Sequence, residues 1–185
     1  MAETAYKPHR WCRAEYERMA EAGVLEPDAR IELIDGEILE MAPHGTRHFT
    51  AIRLVEESLR TVFGLGYEIR TQGPLALDEG SEPEPDVAVV RGSPRDFRQA
   101  HPRTALLIVE VSDTSLGFDR LRKKRVYARN RIPEYWILDL AGERLEVYRA
   151  PRDDDYGEKQ TLSALEQVIP LAVPDAAVAV SDLLP

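Results

Sequence analysis

Residues 82–90 read EPEPDVAVV, and residues 106–115 read LLIVEVSDTS. Both hold short, nearly continuous apolar runs rich in β-branched residues, the pattern of strands covered on both faces. Each also carries a carboxylate at one end, Asp86 opening the first run and Glu110 near the exit of the second. A buried carboxylate is costly unless it is paired or binds a cation. If the two strands are neighbours, both side chains converge on one point. Hard divalent ions such as Mg2+ take oxygen ligands, often one or two carboxylates plus substrate phosphate. The carbonyl of Val111 is a candidate third oxygen. The competing reading of Asp86 is a turn residue after Pro85. Glu110 has no comparable surface explanation unless its strand lies at a sheet edge.

The flanking sequence supplies the other elements. WCRAEYERMAEAG (11–23) suits a helix stopped at Gly23. RIELIDGEILEM (30–41) reads as a hairpin turning at Asp35-Gly36. Ile52, Val55, Leu59 and Val62 recur at helical spacing over about 46–63. YEIRTQGPLAL (67–77) predicts a strand bent at Gly73-Pro74. A helix is expected over about 118–130. The strands EYWILDL and RLEVYRA follow, turning at Ala141-Gly142, with a further strand near Gln160–Leu162. Pro170, Pro174 and Pro185 predict an irregular tail over about 165–185. This order implies an α/β fold over 1–185, one domain with a mixed central β-sheet flanked by helices and extra β-hairpins.

The chain has 185 residues, 43% apolar and 31% charged, the balance of a soluble globular domain with a real core. No apolar run approaches the ~20 residues of a membrane helix. MAETAYKPHRWCR lacks the apolar core of a secretory signal. Cys12 is the only cysteine, which excludes an internal disulfide and makes a reducing cytoplasm the expected compartment. A net charge of -9 argues against coating nucleic acid by bulk attraction. Yet Arg91–Arg131 holds eleven Lys and Arg against four acids. That stretch is either one polyanion-binding face or a solvated helix face with ordinary surface arginines.

Hydrolysis of a phosphodiester needs a cation that holds the attacking water and offsets transition-state charge. Lys123, on the helix after Glu110, is the candidate. Its competing role is an exposed i,i+4 pair with Asp119, worth about 0.2–0.5 kcal/mol. Glu32 on the hairpin is either a further acidic group of the site or a side chain facing water. His44 and His48 stand four apart, but Pro43 and Gly45 disfavour a helix through both, and no third ligand is near in sequence. A zinc site is therefore not expected, and His48 is placed at the start of the second helix, bordering the cleft. Tyr127, one turn from Lys123, either packs or steadies it. The patterns GxGxxG and GxxxxGK[ST] are absent, and neither Ser112 nor Ser115 has a histidine nearby in sequence.

PDVAVV, IVEVSDTS, DRLRKKRVYARNRIPEYWILDL and LEVYR, preceded by RIELIDGEILEMAP and His48, resemble the bacterial "putative restriction endonuclease" family within the PD-(D/E)XK nuclease superfamily. The resemblance runs from about Arg30 to Arg149. It implies a restriction-endonuclease-like core, with Asp86 as the acid of the PD element and Glu110 as that of the (D/E)XK element. The lysine due two residues later is replaced by Ser112, and the basic role moves to Lys123. The family's early glutamate falls on Glu32. The implied activity is DNA hydrolysis with Mg2+ or Mn2+ held by Asp86 and Glu110. Lys123 would position or activate water, with Glu32 assisting. Some of Arg91, Arg95, Arg120 and Arg122 would touch DNA, and a homodimer would supply two centres for a duplex. The rival expectation is a catalytically inactive module of the same fold, used for binding or oligomerisation. The net charge and the missing lysine at 112 motivate it.

Overall fold

The computed structural model describes residues 6–26 and 29–185. Helix α1 (Arg13–Glu21) is followed by the hairpin β1 (Ile31–Ile34) and β2 (Glu37–Glu40), then by the long helix α2 (Thr46–Phe63). Strands β3 (Tyr67–Thr71), β4 (Val87–Arg91) and β5 (Leu107–Ser112) come next. A helical crossover consists of α3 (Leu116–Phe118), a wide turn over Asp119–Lys123 and α4 (Lys124–Arg129). Strands β6 (Glu134–Asp139), β7 (Arg144–Arg152) and β8 (Asp155–Ser163) complete a six-stranded sheet in the order β3-β4-β5-β6-β7-β8.

The sheet is mixed. β5 and β6 run parallel, and the other neighbours are antiparallel. A parallel pair requires a crossover, and this one is the helical segment that carries Lys123. Helices cover both faces, which explains the continuous apolar runs. Val87, Val89, Val109 and Val111 pack in one core with Ile52, Val55 and Leu59 of α2. Ala88, Val90 and Ile108 point the other way, into a core shared with Val126, Tyr127 and Tyr135. Side chains alternate along a strand, so Glu110 and Ser112 share the face of Ile108, toward the crossover helix.

The hairpin turns where the Asp35-Gly36 pair requires it. Asp35 has φ 52° and Gly36 φ 74°, the positive values of a two-residue hairpin turn. The backbones of Leu33 and Glu82 exchange two hydrogen bonds, at 3.3 and 2.8 Å, and this docks the hairpin beside the segment leading to Asp86.

One expectation needs correction. β8 is nine residues long rather than a short piece near Gln160–Leu162. Only Tyr156 and Leu162 along it are buried, so this edge strand is held by its ladder with β7 and shows little apolar pattern. The tail is short of regular structure but not detached. β9 (Gln167–Val168) pairs with β10 (Val178–Ala179), and Val168, Val178, Val180 and Leu183 enter the core beneath α2. Glu134, fully buried, ties the tail down by accepting the Leu171 N–H at 2.8 Å together with Arg149 and the Trp136 indole.

Glu82 yields a stability prediction. Its carboxyl is pushed up to about 7 by burial and the nearby Glu17 charge, against the pull of Arg13 at 3.7 Å. A raised carboxylate pKa means that the folded chain holds the proton more tightly than the unfolded one. The stabilisation is present below the ordinary value of 4.5 and is lost as pH rises through about 7. Glu82→Gln should raise the melting temperature at pH 8, and the gain should vanish at pH 4, as followed by thermal denaturation.

Candidate active site

The exit of β5 and the entry of β4 lie side by side, because Val87 pairs with Val109 in the antiparallel register. This brings Asp86 against Glu110. The Asp86 backbone N–H donates to Glu110 Oε2 at 3.3 Å, and the Val111 N–H donates to Asp86 Oδ2 at 2.8 Å. Val111 thus meets the site through its N–H. The turn reading of Asp86 fails, since the side chain is buried and doubly bonded.

Lys123 reaches the same point from the crossover. Its ammonium lies 3.0 Å from Glu110 Oε1 and 3.3 Å from Glu32 Oε2. Glu32 is 2% exposed and Lys123 5%, so neither of their surface readings holds. Lys123 sits in a wide turn closed by the Lys124 N–H on the Asp119 carbonyl, five residues back. Such turns are frequent at functional sites. Asp119 does not form the surface pair with Lys123. Its carboxylate accepts from the hydroxyls of Ser112 at 2.5 Å and Ser115 at 2.6 Å. Ser112 therefore occupies the strand position where a lysine was due, and the helix supplies the ammonium to the same face. The Tyr127 hydroxyl donates to Glu110 Oε1 at 2.6 Å, so this tyrosine steadies the carboxylate directly.

The electrostatics show a surplus of negative charge. Four buried acids, Glu32, Asp86, Glu110 and Asp119, surround one buried ammonium. Glu110 is raised by burial and by repulsion from Asp86, Asp119 and Glu32, even with Lys123 beside it. Burial opposes the charge on Lys123, but Glu110, Glu32, Asp119 and Asp86 overcome this and hold it well above the ordinary lysine value. Burial would also raise Asp86, yet the hydrogen bond and charge of His48, the charge of Lys123 and the Val111 N–H leave it below the ordinary value. Carboxylate oxygens gathered at one point are the donor type that hard divalent cations take.

A cleft of about 350 Å³ opens onto the group, lined by Glu32, Asp86, Glu110, Lys123, His48 and Phe118 among others. His48 does border it, donating from Nε2 toward Asp86 Oδ2 at 3.2 Å. His44, Glu84 and Asp119 also line the cleft, and sequence reasoning assigned none of them to the site. The ligand atoms of His44, His48 and Asp86 lie within 4.8 Å of one another. The third partner of the histidines is thus Asp86, 38 positions from His48, where no local spacing could signal it.

The expected DNA-contacting arginines lie elsewhere. Arg91 ends β4, about 17 Å along the strand from Asp86 at ~3.4 Å per residue, and Arg95 follows it in a short turn. Neither lines the cleft. Arg120 makes a two-pronged pair with Glu146 at 3.0 and 2.6 Å. Arg122 binds Glu37 at 2.7 Å. Farther along the helix, Lys124 pairs with Asp155, Arg125 with Asp154, and Arg129 with Asp35 and Asp78. The helical part of the basic stretch, residues 120–129, is thus the positive half of an intramolecular network.

Comparison with known proteins agrees with this architecture. The family model Uma2, described as "Putative restriction endonuclease", matches residues 13–181. A crystal structure described as a putative nuclease belonging to DUF820, from Anabaena variabilis, superposes with a TM-score of 0.72 at 13% identity, covering 92% of this chain and 95% of that one. This likeness establishes the fold. The type IIG restriction endonuclease BpuSI aligns at 20% identity over 55% of this chain and 11% of its own, with a TM-score of 0.37, too low to define a shared fold. Among curated proteins none matches.

The surplus of acids makes Lys123 indispensable to stability. Lys123→Met leaves Glu110 and Glu32 buried without a counter-charge and should cost about 3–5 kcal/mol, measured by urea denaturation at neutral pH. The raised Glu110 takes a proton as pH falls, so the loss should shrink in acid and grow in alkali. Adding Glu110→Gln should restore part of it.

Proposed function

The chain belongs to the Uma2 family, described as "Putative restriction endonuclease", and from this premise we propose that it is a metal-dependent nuclease that hydrolyses DNA phosphodiester bonds. One observation carries the reading: four buried carboxylates converge on a single ammonium at the floor of an open cleft. Burying and crowding these acids raises Glu110, a cost that a bound cation would relieve.

Asp86 and Glu110 would hold Mg2+ or Mn2+. Such an ion supplies Lewis-acid charge at the phosphoryl oxygens and lowers the pKa of bound water. The chain's own groups account for the rest. The acidic neighbours of Lys123 favour its ammonium form. The ammonium positions the attacking water and offsets charge on the phosphate in the transition state. Glu32 holds the ammonium from one side while Glu110 holds it from the other. Tyr127 fixes Glu110, and His48 fixes Asp86. Among the described residues no helix is long and apolar enough to cross a membrane, and the lone Cys12 suits a reducing cytoplasm. Cutting both strands of a duplex would require two centres, hence a homodimer.

The test is cleavage of supercoiled, linear and single-stranded DNA with Mg2+ or Mn2+. The expected result is chelator-sensitive cleavage that falls by about 10²-fold or more in Asp86→Asn and Glu110→Gln, with circular dichroism confirming that both variants fold. Absence of divalent-dependent cleavage across these substrates would overturn the proposal, and absence of calorimetric binding of either ion as well would favour a non-catalytic module.

A further inference from the structure

The nuclease reading uses only oxygen ligands and leaves the two imidazoles at the cleft with supporting roles. His44 stands just ahead of α2, and His48 lies in its first turn. Their rings are tilted by 32° with centroids 4.1 Å apart. We propose that His44, His48 and Asp86 form a site for a borderline first-row divalent ion, Mn2+, Co2+ or Zn2+ in preference to Mg2+, and that Arg30 competes with the ion for His44. The inference deepens the nuclease reading by naming the ion, and it rests on that reading through the shared Asp86.

The geometry suits adjacent ligands of one ion. His48 Nε2 lies 3.2 Å from Asp86 Oδ2, and His44 Nε2 lies 4.0 Å from Asp86 Oδ1. Two ligand atoms each about 2.0–2.2 Å from a shared ion stand roughly 3.0–3.5 Å apart. The first distance is already in that range, and the second closes with a shift of under about 1 Å. Each carboxylate oxygen thus faces one imidazole nitrogen. Imidazole nitrogens favour borderline ions, whereas Mg2+ takes oxygens and keeps much of its water.

Arg30 makes the proposal specific. Its Nη2 lies 2.6 Å from His44 Nε2, and its Nη1 donates to the Ala42 carbonyl at 2.9 Å. A guanidinium can only donate, so Nε2 must present its lone pair to Arg30. That is the lone pair a metal would take. The proton then resides on Nδ1, 3.0 Å from the Gln72 side-chain nitrogen. That nitrogen only donates, so this tautomer needs the Gln72 amide turned to present its oxygen. Arg30 therefore places positive charge at the acidic cleft while blocking one ligand, and an arriving ion must displace it.

The experiment is calorimetric titration of the metal-stripped full chain with MnCl2, CoCl2 and MgCl2, with visible absorption of the Co2+ complex as an independent readout. Co2+ and Mn2+ should bind at least about tenfold more tightly than Mg2+. His44→Ala should weaken Co2+ binding by at least about tenfold and shift the Co2+ spectrum. Arg30→Met should tighten Co2+ binding, a gain that misfolding cannot produce. The double variant Arg30→Met with His44→Ala should lose that gain, because removal of a nearby positive charge is then not its whole cause. Equal affinities for Co2+ and Mg2+, or a Co2+ affinity unmoved by His44→Ala, would overturn the proposal. The two readings fail separately. Glu110-dependent DNA cleavage with a His44-independent Co2+ affinity overturns this site and leaves the nuclease. Histidine-dependent Co2+ binding without cleavage supports this site and overturns the nuclease.

Discussion

The ammonium of Lys123, buried between Glu110 and Glu32, is the contact on which the arrangement depends. Three elements distant in sequence must meet for it to form. β5 brings Glu110, the first hairpin brings Glu32, and the crossover brings Lys123. Removing any one leaves charge buried without a partner, a penalty of several kcal/mol. The docking of the hairpin on Glu82, the parallel β5–β6 pair and the wide turn at Asp119–Lys123 can all be understood as ways of holding these groups at one depth.

The sheet serves as a partition. One face builds an apolar core with α2, and the other builds a core rich in tyrosine with α4. The acids gather where the two layers end, at the mouths of β4 and β5. Here the low-dielectric walls sharpen the field of each charge, while the cleft keeps one side open to a ligand. The balance inside is unequal, because Lys123 cannot neutralise four carboxylates. The basic residues of the same helix do not help, since Arg120, Arg122, Lys124 and Arg129 are occupied by acids on its outer side. Positive charge is thus plentiful near the site but is committed elsewhere, and the cleft retains its deficit.

Much of the frame was legible from pattern alone. Helix α2 matches the 46–63 periodicity, and the Asp35-Gly36 turn and the two-face-buried strands followed from elementary stereochemistry and alternation. Glu110 was nameable because a charge inside an apolar run demands a reason, whereas Glu32 and Lys123 were named with the help of the family resemblance. β8 was underestimated because an edge strand needs no apolar stripe. The ion pairs of Arg120 and Arg122 were not legible for a different reason. A local excess of charge says nothing about which acids the fold will carry to it.

The sequence by itself determined most secondary elements and marked Asp86 and Glu110 as charges set beside core strands, since propensity, alternation and the cost of an unpaired carboxylate are local properties. Only the tertiary structure decided which charges face each other. It put the ammonium on the face left vacant by Ser112, joined Asp119 to two serines rather than to Lys123, and carried Asp86 to His44 and His48. Those pairings span up to 91 positions, as between Glu32 and Lys123. They are set by sheet register and helix docking, which no window of sequence contains.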